Sequence, residues 1–287
     1  MFRTALVPIE LSPSEGPMLA CLDEIGALGV KRLVLLHVVE VGHVKGAEYG
    51  HEEKVRTRLE HCAERLRRAG FEVETEVRDS GVVTDTILQA AGDAQADLIV
   101  IGSRGKTMLE GLFLGSVARE VIRQSPLPVR IEWLDVTGKE GERVCERVCH
   151  RGLKRLMLAT DLSARARAAE DAVETLAPRA EIVDLVHVIG PDEMARNPRW
   201  KVMARAALDS IADDIAAAGG KAEIHLPEGK PSQEIARLAT QREADLIVVG
   251  KQGHGWLEGI LTGSTAINLS EIARRPVLIV PARTSEA

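Results

Sequence analysis

Short apolar runs alternate with stretches of helical periodicity along the first half of the chain. Residues 4–9, 32–39 and 98–101 are almost wholly apolar, which is typical of parallel strands covered on both faces. Residues 52–69 instead place apolar side chains at the three- and four-residue spacing of one helical face, and Gly70 suits the end of that helix. The pattern therefore predicts strands and helices in alternation.

The remaining elements of this half fit the same scheme. Residues 71–77 alternate apolar and polar positions with period two, which predicts a strand at a sheet edge. Residues 83–94 predict a helix, and residues 128–131 predict a fifth strand. Because parallel strands are joined by right-handed crossovers, we expect an α/β fold with a doubly wound parallel sheet.

The second half of the chain repeats this pattern. Gly229, Asp245, Gly250, Gly263 and Pro276 each follow by 148 residues their counterparts Gly81, Asp97, Gly102, Gly115 and Pro128. The repeat indicates gene duplication, and half of 287 residues is an ordinary domain length. We predict a first domain over residues 1–133, a charged linker over 134–152 and a second domain over 153–287.

A glycine-rich loop follows the fourth predicted strand in each half. Both loops have the spacing G-x2-G-x9-G-S and lead into a predicted helix. Glycine lets the backbone approach a ligand closely, and the N–H groups at a helix N-terminus attract anions. The loops therefore predict phosphate binding, with a pair of tight turns needed by the fold as the alternative.

The ends of the first and second strands should lie near these loops. In doubly wound sheets, ligands bind at the carboxyl ends of the strands, where the winding reverses. Glu10 and Asp161 follow the first strand of each half, and Val38 and Val188 stand at the end of the second. We expect them to line the same site, although Asp161 is also suited to cap a helix.

These motifs resemble the universal stress protein family. The first strands end in Val-Pro-Ile-Glu-Leu-Ser and Leu-Ala-Thr-Asp-Leu-Ser, the second strands close with His-Val, and both glycine loops match. The resemblance covers nearly the whole chain outside the linker, as a tandem pair of domains. It implies five-stranded parallel sheets of order 3-2-1-4-5 flanked by helices, and ATP binding without strong catalysis.

The resemblance also implies a set of nucleotide contacts and no catalytic residue. The glycine loops would hold the triphosphate, the backbone at Val38 and Val188 would meet the adenine, and the carboxylate after the first strand would serve the ribose or a bridging Mg²⁺. The implied contacts of the first half are Pro8, Ile9, Glu10, Val38, Gly102, Arg104, Gly105, Gly115, Ser116 and Val117. Those of the second half are Ala159, Thr160, Asp161, Val188, Gly250, Gly253, Gly263, Ser264 and Thr265.

The two halves differ at this site. The family usually has aspartate after the first strand, as at Asp161, whereas Glu10 is one methylene longer. Arg104 and Lys106 place more positive charge beside the first loop than Lys251 and His254 place beside the second. The order of affinity stays open at this point, and both halves are expected to bind ATP, with ADP and AMP as alternatives.

Three classes of function remain. The leading interpretation is a nucleotide-dependent stress-response module that regulates a protein partner. The second is a slow Mg²⁺-dependent ATPase or nucleotide-transferring enzyme using Asp161, and the third is a tandem scaffold that binds nothing. The sequence contains no G-x4-G-K-[S/T], G-x-S-x-G or H-E-x-x-H motif, which disfavours the common phosphoryl-transfer, esterase and metalloprotease classes.

Composition and charge limit the partners and the cellular compartment that we expect for the protein. A net charge of −6 and an aromatic content of 2% argue against nucleic acid. The sequence has neither an apolar run of the ~18 residues that a membrane span needs nor a signal-peptide pattern at its start, so we expect a cytoplasmic protein. The two repeats are expected to pair through their fifth strands, such as residues 277–280, and a homodimer is left open.

The cysteines and histidines complete the candidate chemistry. Four cysteines are too few for a disulfide framework in a chain of this length, which fits a reducing compartment. Cys145, Cys149 and His150 allow a metal site, but zinc needs a fourth ligand, so a bland or intermolecular thiol role is favoured. His37 and His187 are expected to form local hydrogen bonds at the strand ends.

Overall fold

The protein divides into two compact units. The computed structural model describes residues 2–11, 15–40, 49–103, 114–137, 144–147, 152–190, 199–253 and 263–283. One unit runs from Phe2 to Val148, and the other from Cys149 to Ala287. Each contains a parallel sheet with flanking helices, which confirms the predicted α/β class.

The first unit is built around a five-stranded sheet whose pairings run β3-β2-β1-β4-β5, all parallel. Its strands are β1 (Thr4–Pro8), β2 (Arg32–Glu40), β3 (Glu72–Ser80), β4 (Leu98–Gly102) and β5 (Val129–Glu132). Its helices are α1 (Glu15–Leu22), α2 (Tyr49–Arg68), α3 (Val83–Asp93) and α4 (Ser116–Gln124), with a 3₁₀ turn at Ile25–Leu28.

Two short strands lie within the predicted linker. Residues Leu134–Thr137 form β6 and Val144–Arg147 form β7, an antiparallel pair separate from the parallel sheet. Trp133 and Leu134 are buried, and the Leu134 N–H donates to Ser103 Oγ at 3.0 Å. The chain therefore stays packed on the first unit beyond β5, because apolar side chains at its start are worth burying.

The second unit has the same arrangement, with pairings β10-β9-β8-β11-β12. Its strands are β8 (Arg155–Ala159), β9 (Ile182–Val186), β10 (Ala222–His225), β11 (Leu246–Gly250) and β12 (Val277–Val280). Its helices are α5 (Arg167–Leu176), α6 (Trp200–Ala217), α7 (Pro231–Gln241) and α8 (Ser264–Ile272), with a 3₁₀ turn at Ala177–Arg179.

One repeated aspartate ties the sheet together at the end opposite the glycine loops. The Asp97 carboxylate accepts the Arg3 N–H at 3.0 Å, and the Asp245 carboxylate accepts the Arg155 N–H at 2.7 Å. Each aspartate precedes the fourth strand of its unit and bonds the start of the first. Its recurrence in the sequence is thus explained by sheet assembly rather than by ligand binding.

The cysteines are in different states. Cys21 in α1 is buried and takes part in a disulfide, a bond that the expected reducing compartment disfavours. Cys62 in α2 is a buried free thiol, and burial, followed by the neighbouring Glu15 carboxylate, raises its pKa to about 12. The side chain of Cys145 and the whole of Cys149 and His150 lie outside the described residues.

None of the helices in the described ranges combines the length and the hydropathy that a membrane-spanning segment requires.

Candidate functional site

Both glycine loops are closed at the base by the same backbone hydrogen bond. The Gly115 N–H donates to the Ser103 carbonyl at 2.9 Å, and the Gly263 N–H donates to the Lys251 carbonyl at 2.8 Å. Gly115 and Gly263 are the N-caps of α4 and α8. Because glycine has no capping side chain, neither N-cap offers a side-chain acceptor to the first-turn N–H groups of its helix.

The first strand of each unit ends in a sharp corner that carries the predicted carboxylate. Ile9 and Thr160 extend the strand pairing by one hydrogen bond, at 2.7 Å and 3.0 Å. After Glu10 and Asp161, the next residues are leucines with positive φ, 53° at Leu11 and 59° at Leu162. This conformation costs about 1–3 kcal/mol for a non-glycine residue, so its repetition marks a corner that the surroundings enforce.

A histidine supports each corner through a hydrogen bond. His37 lies in β2, and His187 directly follows β9. His37 Nδ1 lies 2.7 Å from the Ile9 carbonyl, and His187 Nδ1 lies 3.0 Å from the Thr160 carbonyl. In the second unit, His187 Nε2 accepts the Trp200 indole N–H at 3.4 Å. This assigns the proton to Nδ1, which donates to the Thr160 carbonyl. The expected local hydrogen bonds of both histidines are confirmed.

The corner and the glycine loop meet in the second unit. A Cβ placed on Gly253 would overlap Asp161 Oδ2 and lie 3.2 Å from Cγ of that side chain. A Cβ on Gly250 would lie 3.6 Å from Ala166 Cα, in the segment that follows the corner. Asp161 Oδ1 accepts the Ser163 N–H at 3.1 Å, which orients the carboxylate. Asp161 is thus half-buried against the loop, as the topology predicts.

In the first unit, Arg104 and Gly105 lie outside the described residues. Glu10 is exposed at the corner, and Pro8 is the last residue of β1. Gly102 ends β4, and Ser116 and Val117 begin α4. In the second unit Ala159 ends β8 and Thr265 lies in the first turn of α8.

The second strands differ from their prediction in one respect. Val38 lies inside β2, which continues to Glu40 and pairs with β3 as far as Ser80. Val38 therefore lies before the end of the strand and not at it, because pairing with the long edge strand β3 extends β2 to Glu40. Val188 does lie beyond the end of β9 and is buried.

A lysine side chain is buried beside the second loop. Lys251 occupies the position that Ser103 holds in the first unit, and burial lowers its pKa to about 8. An ammonium with this pKa is still mostly protonated at pH 7. The structure thus buries a basic side chain next to Gly250, the residue that begins the second glycine motif.

The second unit contains a buried ionic cluster that was not predicted from the sequence. Asp184 is fully buried in β9, and its carboxylate lies 2.8 Å from His225 Nε2, 3.0 Å from the Arg155 guanidinium and 3.1 Å from Arg242. Arg242 also pairs with Glu223. The only signal in the sequence is a charged residue inside the apolar run 182–186.

This cluster contains the side-chain types that bind metals, but its carboxylates are already paired with arginines. Ligand atoms of Asp184, Glu223 and His225 lie within 4.8 Å of one another. Two guanidinium groups already occupy the positions that a cation would take, so we interpret the group as a structural ion-pair network.

The cluster predicts a loss of stability in acid. Burial by itself would raise the pKa of Asp184, but hydrogen bonds from His225 and Arg155, with the charges of Arg155 and Arg242, together lower it below its ordinary 3.8. A depressed folded-state pKa contributes stability that is complete above the unfolded value and is lost as the pH falls through the folded value. We expect the free energy of unfolding to fall below pH 4, and Asp184→Asn to flatten that slope in urea titrations at several pH values. An unchanged slope would contradict this assignment.

Comparison with known proteins agrees with the repeated architecture. A model of the universal stress protein family matches residues 1–131 and again residues 152–281. Universal stress protein Slr1230 of Synechocystis sp. is 26% identical over 88% of this chain and 79% of its own length. A universal stress protein of Thermus aquaticus is 32% identical over 45% of this chain and 97% of its own length.

A solved structure shows the same fold. The universal stress protein from Archaeoglobus fulgidus covers 97% of this chain and 98% of its own, with a TM-score of 0.74 and 22% sequence identity. At that identity the likeness concerns the fold alone. With two family matches that together span most of its length, the chain belongs to the universal stress protein family as a tandem member.

Proposed function

We propose that the protein binds adenine nucleotides through its glycine loops and acts as a stress-response regulatory module with little or no catalysis. The observation that supports this most directly is the contact between Asp161 and Gly253 beside the start of α8. A carboxylate, a glycine backbone and a helix N-terminus there offer partners for a ribose and for phosphate oxygens.

Each group of the second unit has a distinct role in this proposal. The backbone N–H groups at Gly253, Ser264 and Thr265 would donate to the phosphates, and the Lys251 ammonium would add electrostatic attraction. Asp161 would accept ribose hydroxyls. Thr160 and Val188 would border the adenine, because they follow the carboxyl ends of the neighbouring strands β8 and β9.

Mg²⁺ would accompany a bound triphosphate. Asp161 is the carboxylate placed to approach such an ion, since its Oδ1 is anchored by the Ser163 N–H and its Oδ2 lies against the loop. An oxygen ligand of this kind suits Mg²⁺, which prefers carboxylates and phosphates. The ion would neutralise phosphate charge, and the protein would hold the nucleotide.

The first unit is proposed as a second, similar site. Its loop is closed by the same Gly115 hydrogen bond, and its corner has the same positive φ at Leu11 and the same histidine support. Glu10 would replace the aspartate with a longer reach, and Arg104 and Gly105 complete the motif in the sequence. We therefore propose two nucleotides per chain, in a cytoplasmic protein whose protein partner senses their presence.

Calorimetry should detect two binding events per chain for ATP, with ADP and AMP compared and GTP as the base control. Protein denatured directly after purification should release adenine nucleotide that chromatography identifies. No heat with any nucleotide and no released nucleotide would favour the scaffold function instead. Sustained phosphate release that Asp161→Asn abolishes would favour the slow ATPase.

A further inference from the structure

A buried polar pair lies directly behind the carboxylate corner of the second unit. Thr160 Oγ1 donates to Glu170 Oε1 at 2.7 Å, and the two residues are only 6% and 8% exposed. The same Oγ1 accepts the Leu162 N–H at 3.0 Å. Because an ionised carboxylate only accepts, the direction of both hydrogen bonds is determined.

The pair constrains the residue that faces the proposed nucleotide. Asp161 stands between Thr160 and Leu162, so the hydroxyl of Thr160 links the residues on either side of it. Leu162 has φ of 59°, a conformation that needs support from its surroundings. Glu170 Oε2 lies 3.3 Å from Arg167 in the preceding helical turn, which supports the ionised carboxylate.

The first unit makes the same corner without this pair. The residues at the corresponding positions are Ile9 and Leu19, both buried and apolar. Leu11 nevertheless has φ of 53°. The corner can therefore form with buried apolar residues at both positions, and burying Thr160 and Glu170 is not a requirement of the fold.

We propose that Glu170 is a positioning residue for the nucleotide site of the second unit, acting through the Thr160 hydroxyl to hold Asp161 in its binding orientation. This inference rests on the proposed nucleotide function. A buried hydrogen bond to a charged acceptor is stronger than one between neutral groups, and a carboxylate oriented beforehand binds without an ordering cost. The carboxylate of the second site would thus be oriented by a buried polar pair, which the first site lacks.

Trp200 provides a reporter for this site alone. Its indole N–H bonds His187, whose Nδ1 bonds the Thr160 carbonyl next to Asp161. The part of an ATP-induced change in tryptophan emission that disappears in Trp200→Phe is the signal of the second unit. Calorimetry on the same proteins gives an independent affinity.

Glu170→Leu and Thr160→Val are each expected to weaken ATP binding at the second site roughly tenfold, the loss of one charge-assisted hydrogen bond. The double variant should be no worse than Thr160→Val alone, since that change already removes the hydrogen bond to Glu170 together with the one from the Leu162 N–H. Glu170→Gln keeps an oxygen acceptor and should restore most of the affinity. Glu174→Gln, an exposed residue one turn along α5, is the matched control.

Thermal unfolding of each variant separates positioning from folding. Variants that lower the melting temperature while ATP affinity at the second site stays unchanged would overturn the inference and leave the proposed function intact. Absence of ATP binding in the unsubstituted protein would instead overturn the proposed function. Affinity lost in Glu170→Leu and regained in Glu170→Gln would support the positioning role.

Discussion

Replacing Gly253 by alanine is expected to weaken nucleotide binding at the second unit strongly while leaving the first unit's site intact. The new Cβ would overlap Asp161 Oδ2, so the carboxylate or the loop must move. Both belong to the proposed site, and the displaced backbone could no longer approach phosphate. We expect binding weaker by on the order of a hundredfold, which corresponds to about 2.7 kcal/mol.

Calorimetry with ATP checks this as a change from two sites per chain to one. Gly92→Ala is the matched control, because a Cβ there meets nothing within 4 Å and Gly92 lies in α3, away from the glycine loops. The control should bind like the unsubstituted protein. Two sites of undiminished affinity in Gly253→Ala would remove this loop from the nucleotide site.

Asp184→Ala is expected to destabilise the second unit by about 3–5 kcal/mol, because removing one partner of a buried ion pair leaves the others uncompensated. Arg155, Arg242 and His225 all direct donors at this fully buried carboxylate. Arg155 would lose this acceptor, and Arg242 would keep only its pairing with Glu223. The effect is a large fraction of the stability of an ordinary domain.

Urea unfolding of the full chain measures this loss. Asp213→Ala, an exposed aspartate on α6, should change the free energy of unfolding by less than about 0.5 kcal/mol. A triple variant with Asp184→Ala, Arg155→Met and Arg242→Met should recover part of the loss, since the unpaired charges are gone. A cost below about 1 kcal/mol for Asp184→Ala would mean that water reaches the cluster.

Local patterns were enough to predict the main elements. The apolar runs became the buried central strands β1, β4, β8 and β11 because a strand covered on both faces excludes polar residues wherever it lies. The glycine spacing likewise predicted where α4 and α8 begin. Boundaries were less accurate, as at the end of β2, because they depend on how far the neighbouring strand continues.

Contacts between distant residues were not accessible in the same way. Asp161 and Gly253 were expected in one site from topology, but their direct contact is a property of the folded second unit. The Thr160–Glu170 pair and the Asp184 cluster could hardly be predicted from the sequence. Threonine, glutamate and arginine usually lie at the surface, and only the folded structure shows the partners that allow their burial.

The sequence by itself determined the duplicated α/β architecture, the family resemblance and the positions of the glycine loops, since these depend on periodicity and spacing within each half. Only the tertiary structure decided which polar groups are buried and what they bond. Burial of a charge is tolerated only where distant segments supply its partners, and that matching exists only in the folded chain.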